Sequence, residues 1–172
     1  QKPTCINTRI RSTFDARKIF AAIHYGFLVI VTRHLDADER LQLRSGCIYA
    51  WEERTPEQKS AGTGIERFTD GRRWSPSRLR EGFLFYFETY NASSQKSAHK
   101  PSSKPPRDWD PLVKQTYSTW VNTEKGRRKW HLIAYFSDAT VDGLDTVDDL
   151  PNVRSLAIPD DLFDPASIVE KR

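Results

Sequence analysis

Residues 65–90 read IERFTDGRRWSPSRLREGFLFYFETY. The last nine, Gly82 to Tyr90, form the most strand-like segment of the chain, dense in aromatic residues that suit a pleated, half-buried surface. The part before it is punctuated for turns. Thr69-Asp70-Gly71 signals a tight turn in which Gly71 supplies a positive φ where one is needed. Arg72 and Arg73 then stand on the tip, and Trp74 is large enough to pin the loop to a core. Ser75-Pro76-Ser77 offers two hydroxyls on a stiffened frame, and Arg78 and Arg80 add charge. An aromatic strand entered through an arginine-bearing turn points to a β-rich fold with a basic protrusion.

Upstream, Asp15 to Tyr25 reads as a helix, with Phe14, Ile19, Ala22 and Ile23 at helical spacing, Thr13 or Asp15 as cap and Gly26 as stop. Phe27 to Thr32 is a β-branched run expected to be a buried strand. Asp36 to Arg44 is expected to hold a turn of helix opened by Asp36, Gly46 to Glu53 a strand, and Ser60 to Arg78 a loop. Downstream the composition changes abruptly. Asn91 to Arg107 (NASSQKSAHKPSSKPPR) is rich in Ser, Lys and Pro without an apolar period, the signature of a flexible linker. Leu112 to Val121 and Lys129 to Ser137 then read as a β-hairpin closed by a loop of five to seven residues around Gly126. The last third carries two short apolar runs, Val153 to Ile158 and Ile168 to Val169. The expected fold is therefore α+β and β-rich, with a first lobe over 1–90, a linker over 91–110, and a second lobe over 111–172. Each lobe is small for a core of its own, so strands of one half are expected to pair with the other.

The chain has 172 residues, 37% of them apolar, and its 12% aromatic content is too high for a disordered chain. Its longest apolar stretch, Phe27 to Val31, is too short to span a bilayer. With no charged-then-apolar leader, the expectation is a soluble intracellular domain without a membrane partner. Two cysteines, Cys5 and Cys47, exclude a disulfide framework and an all-cysteine metal site. Net charge is +4, but unevenly spread: residues 1–136 hold 24 basic and 14 acidic side chains, residues 137–172 hold 3 and 9. A +10 body with a −6 tail points to a polyanionic partner.

Arginine on a narrow protrusion suits the minor groove of DNA, most negative where A·T tracts narrow it, and serine hydroxyls suit the flanking phosphates. The competing reading is a surface turn whose arginines pair with Glu52, Glu53 or Glu66. Lys125 to Lys129 makes a second basic tip. Enzymatic motifs are lacking: His24, His34, His99 and His131 have no metal-ligand spacing, and there is no nucleophile elbow or phosphate loop. No cofactor or metal is expected. The alternatives are a metal-dependent nuclease built on Asp70, Glu52 and Glu53, and a single-stranded nucleic-acid or RNA module stacking bases on Phe83 to Tyr90.

The order of residues adds more. GIERFTDGRRWSPSRL followed by GFLFYFE closely resembles the signature of the WOPR-domain family of fungal transcriptional regulators. RSGCIYAWEE at 44–53 is similar to an upstream strand of that family, and LVKQTYS at 112–118 with HLIAYF at 131–136 resembles its second block. A variable linker separates the blocks in the family. The chain departs from the pattern at Phe68, where Trp is usual, at Glu66, where a basic residue is common, and in Thr4 to Thr8, which lacks a glycine. The resemblance implies two interdigitated, mainly β lobes and a nuclear, sequence-specific domain for A·T-rich double-stranded DNA. It implies roles for Arg72 and Arg73 at the minor groove and for Ser75, Ser77, Arg78 and Lys114 on phosphates, with Arg44 and Arg67 as weaker candidates. Trp51, Trp74 and Phe83 are assigned to the core. Protein partners are expected through the linker or the acidic tail.

Overall fold

The computed structural model describes residues 1–90 and 104–164. Five strands, β1 (Ile48–Glu52), β2 (Arg78–Arg80), β3 (Phe83–Phe87), β4 (Val113–Thr123) and β5 (Gly126–Phe136), form one antiparallel sheet. Its order is β1-β5-β4-β3-β2. The central hairpin thus comes from the second half of the chain, and the first half supplies both flanks. Four short helices, α1 (Thr13–His24), α2 (Ala37–Leu41), α3 (Pro56–Ala61) and α4 (Pro151–Arg154), surround the sheet.

Alternation along β4 defines two faces. Val113, Gln115, Tyr117, Thr119 and Val121 are buried on the inner face, whereas Lys114, Thr116, Ser118 and Trp120 project outward. The inner face packs on α1, whose Ala16, Ile19, Phe20, Ala21 and Ala22 are fully buried. Phe20 meets Tyr117, Trp130 and Phe163, with ring centroids 5.6–6.4 Å apart. It therefore gathers both strands of the hairpin and the C-terminal segment. The acidic last third closes this core with Val147, Val153, Leu162 and Phe163. Its charges lie against the basic body, as in Arg11–Asp148 and Arg127–Asp164.

The outer face carries a second cluster, in which Tyr49, Trp51, Ile133 and Tyr135 are covered by Ile65, Phe68 and Trp74 of the connection between α3 and β2. Because β5 is covered on both sides at this end, Leu132 to Tyr135 are all buried and its sequence loses alternation.

Three expectations are corrected. Phe27 to Thr32 is not a strand; Val31 alone bridges to Trp51, and Phe27 and Val29 are exposed. Gly26 (φ 83°) turns the chain back over the end of α1, and Cys5 and the Thr4 hydroxyl already serve part of the free edge of β1. The hairpin loop is not five to seven residues, since pairing continues to Thr123↔Gly126 and leaves only Glu124 and Lys125. Arg127, Arg128 and Lys129 belong to the ladder, and Gly126 (φ 102°) takes the position that no β-branched residue adopts comfortably. Helix α3 lies partly in the expected loop; it carries a Thr55–Gln58 capping box, Pro56 and a left-handed Gly62, but no buried residue to create a period. The run Val153 to Ile158 takes in the end of α4 and continues as irregular chain. The stretch 91–103 and the run Ile168 to Val169 lie outside the described residues.

Replacing Phe20 with Ala removes the ring shared by both halves and is expected to cost about 3–5 kcal/mol. Phe14→Ala, at a ring 52% exposed, is expected to cost well under that. Urea unfolding of the two variants checks the contrast.

Candidate nucleic-acid interface

The loop from Phe68 to Ser77 is held by one buried carboxylate. Asp70 is 6% exposed. It accepts from the Arg72 amide (3.0 Å), the Trp74 indole Nε1 (3.1 Å), the Tyr135 hydroxyl (2.8 Å) and Lys114 Nζ (3.3 Å). The first bond closes the turn in which Gly71 takes φ 76°. The Tyr135 and Lys114 bonds tie the loop to β5 and β4, and the Trp74 bond folds it back on the same carboxylate. Burial, with the Asp70 charge next in weight, holds the Tyr135 hydroxyl well above its usual range, so it stays a donor.

Past Trp74 the chain runs antiparallel to the end of β3. Thr89 N donates to Arg73 O (3.0 Å), Ser75 N to Phe87 O (2.8 Å) and Phe87 N to Ser75 Oγ (3.0 Å). The loop is thereby a rigid extension of the sheet edge rather than a free tether.

This frame separates the two tip arginines. Arg72 is drawn inward, its guanidinium bonding Glu88 (2.9 Å) and the Leu43 carbonyl (3.2 Å). Glu88 also receives the Leu112 amide (2.9 Å), so Arg72 locks the start of the hairpin as well. Arg73 is exposed and, among the described residues, its side chain has no ion-pair partner. Ser77, Arg78 and Arg80 are exposed beside it, with Arg78 lying over the Phe87 ring at 5.9 Å.

The remaining site residues are more scattered. Lys114 is not a free phosphate ligand: its ammonium lies against Asp70 between the rings of Trp74 (4.6 Å) and Tyr86 (4.9 Å). The Ser75 hydroxyl is occupied by the sheet edge. Arg67 is exposed over the outer face, and Arg44 is exposed next to Leu43. Neither is tied to Glu52 or Glu53, which engage Trp130 Nε1 (3.0 Å) and His131 Nε2 (3.0 Å). The pairing of the tip with those acids is thus replaced by a pairing with Glu88.

Two positioning residues, Asp70 and Glu88, escape a reading by motif. In the sequence Asp70 reads as a turn former or as one acid of a nuclease cluster, and Glu88 as the end of an aromatic strand; what joins them to Lys114 and Leu112 is strand register. The aromatics of β3 are used in packing, with Phe83 buried and Tyr86 beneath Lys114. Among the described residues, no three His, Cys, Asp or Glu side chains come together to hold a metal. No described helix is long and apolar enough to cross a membrane.

A groove of the outer face runs beside Arg67 over Leu84, Thr116 and Ser118 to His131. His131 stacks on Trp51 (4.2 Å between centroids) and bonds Ser118 Oγ through Nδ1 (2.5 Å). Burial lowers its pKa despite the Glu53 bond that opposes it.

Two outcomes follow from this geometry. Asp70→Ala strands the Lys114 ammonium and is expected to cost about 3–5 kcal/mol by urea unfolding, against about 1 kcal/mol for Tyr135→Phe. A histidine whose pKa is depressed in the fold binds its proton more readily when unfolded, so stability falls as pH drops below about 6.5. The His131→Gln variant is expected to lose part of that pH dependence in thermal melts between pH 7.5 and 5.

Comparison with known proteins places this architecture. Residues 6–110 match the Gti1/Pac2 family. The cAMP-independent regulatory protein pac2 of Schizosaccharomyces pombe is 38% identical over 79 residues, covering 46% of this chain and 31% of that protein. The global transcription regulator FGP1 of Gibberella zeae is 38% identical over 97 residues, covering 56% and 26%. The chain therefore spans under a third of the length of these two relatives. Among solved structures, the WOPR domain of Wor1 from Candida albicans in complex with a 13-bp double-stranded DNA superimposes with a TM-score of 0.69 at 25% identity, covering 98% of this chain and 96% of that one. Motif order, interleaved sheet and sequence match agree: this chain belongs to the Gti1/Pac2 family, of WOPR type.

Proposed function

We propose that this chain is a sequence-specific double-stranded DNA-binding domain of a fungal transcriptional regulator acting in the nucleus, and that it selects A·T-rich sites through the minor groove. The observation that carries this reading is Arg73, an exposed guanidinium that has no ion-pair partner among the described residues, on a loop fixed by a buried carboxylate. The loop that carries it needs little ordering on binding, and the negative potential of a narrow A·T minor groove favours insertion of the guanidinium. The likeness to a WOPR domain whose structure holds double-stranded DNA supports the choice of ligand.

Within this reading the site residues divide by task. Arg73 reads the groove, while Arg72 braces the loop from beneath through Glu88. Ser77 and Arg78 contact phosphates on the loop's far side, with the Ser75 backbone keeping the register. Lys114 acts through Asp70 and Trp74 rather than on DNA. Arg67 and Arg44, both exposed, add to the field that draws the duplex in.

Selection of preferred sites from random duplexes, at stated salt, tests the ligand and its composition. Arg73→Ala is expected to cost about 1–3 kcal/mol of binding and to relax the A·T preference. Arg78→Gln is expected to lower the log–log salt slope by about one unit with preference retained. Equal affinity and equal preference for Arg73→Ala and the parent would remove the loop from the interface. Efficient competition by single strands of the selected sequence would instead favour a single-strand binder.

A further inference from the structure

Strand register assigns a side of the sheet to each arginine of the loop and its neighbours. The bridge between Trp74 and Glu88 sets Arg73 opposite Thr89 and Ser75 opposite Phe87. Phe87 pairs with the inner-face Val113, so Arg73 projects to the inner side of the edge while Trp74 points outward to Lys114. In β2, Arg78 lies opposite Phe85 and Arg80 opposite Phe83, again on the inner side. Arg127, over the Trp120 ring, is on the outer face. Three arginines of one edge thus share one side.

That side is open and poor in free acids. Helix α1 covers the inner face beside Tyr117, but toward β2 the cover ends, leaving Phe85 half-buried and Phe87 43% exposed. Arg80 is exposed and has no ion-pair partner among the described residues. Next to it a crevice of about 200 Å³ separates Phe83 and Phe85 from the segment before α1 that carries Arg9. Arg9 is loosely held. Its ion-pair partner, Asp142, stands 3.7 Å away on a side chain 97% exposed, and its Nε meets no acceptor among the described residues. Asp15 and Asp148 are taken by Arg11, which leaves Glu81, in the β2–β3 turn, as the one acid lining the crevice. From Thr89 to Phe83 the edge runs six residues, about 20 Å at ~3.3 Å each. This is less than one turn of B-DNA, about 34–36 Å, so a duplex lying along the edge meets Arg73, Arg78 and Arg80 without being wrapped.

We infer that the duplex lies against the inner side of the β2–β3 edge, where Arg80 and Arg9 extend the phosphate contacts of Arg78 beyond the loop. This rests on the DNA-binding reading above and fixes which side of the sheet the duplex takes. As backbone contacts, the two arginines add affinity and orientation without altering the preferred sequence. Glu81 opposes them and tempers binding.

Salt titrations on an A·T-rich duplex of about 20 bp test the arrangement. Arg80→Gln and Arg9→Gln are each expected to lower the log–log slope by about one unit with A·T preference unchanged. Arg127→Gln, on the opposite face, is expected to keep the parent's slope. Glu81→Gln is expected to tighten binding about two- to threefold at low salt and not at high salt, a gain that misfolding does not produce. Parent-like slopes for Arg80→Gln and Arg9→Gln, with parent-like affinity for Glu81→Gln, would overturn the inner-side placement while leaving DNA binding intact. A slope lowered by Arg127→Gln in place of Arg80→Gln would put the duplex on the outer face and overturn it equally. A parent chain that binds no duplex would remove the DNA-binding reading itself.

Discussion

The Asp70 carboxylate is the constraint on which the rest depends. Taking a charge out of water is costly unless it is paired and hydrogen-bonded, and this one receives Lys114, Tyr135, Trp74 and the Arg72 amide. Three of these donors sit on different structural units: the loop, β4 and β5. The loop therefore cannot leave the sheet without exposing Lys114 and Tyr135 to an unpaired burial. Stiffness at the tip is a product of chemistry several ångströms beneath it. Glu88 repeats the device at smaller scale, joining Arg72 to the Leu112 amide at the mouth of the hairpin.

How much of this was legible beforehand depended on the range of the interaction. Local signals were read well. The α1 stretch has a helical apolar period, Asp36 opens α2 with a capping box, and Gly71 adopts the positive φ that a TDG turn suggests. The assignment of Trp51 and Phe83 to the core also agrees with their burial. Signals that polarity obscures were misjudged. Asn122 to Arg128 looks like loop because it is hydrophilic, yet long basic stems continue a ladder readily when one face is open to water. Phe27 to Val31 looks like strand because it is β-branched, yet propensity does not provide a neighbouring edge.

The candidate site shows the same division. The loop was visible because its residues are contiguous, and the separation of Arg72 from Arg73 was not, because it depends on Glu88 sixteen residues away. Lys114 illustrates the limit most directly. Its residue type suited a phosphate, and only the register of β3 with β4 reveals that it stands between two rings beside a buried acid. Charge counting identified an acidic tail, and the structure gives that tail work in the core through Val147, Val153 and Phe163.

The pairing of Phe87 with Val113 has a bearing on how such a domain can diversify. Phe87 and Val113, which flank the sequence of least regular composition, face each other across adjacent strands. For any flexible chain joined between two points fixed by a ladder, closure entropy grows only with the logarithm of its length, at roughly 0.6 kcal/mol per doubling. Insertions there leave the register of the sheet untouched. That makes the junction a permissive place for evolution, or for an engineer grafting a reporter, to add sequence while the arginine loop on the neighbouring edge keeps its shape.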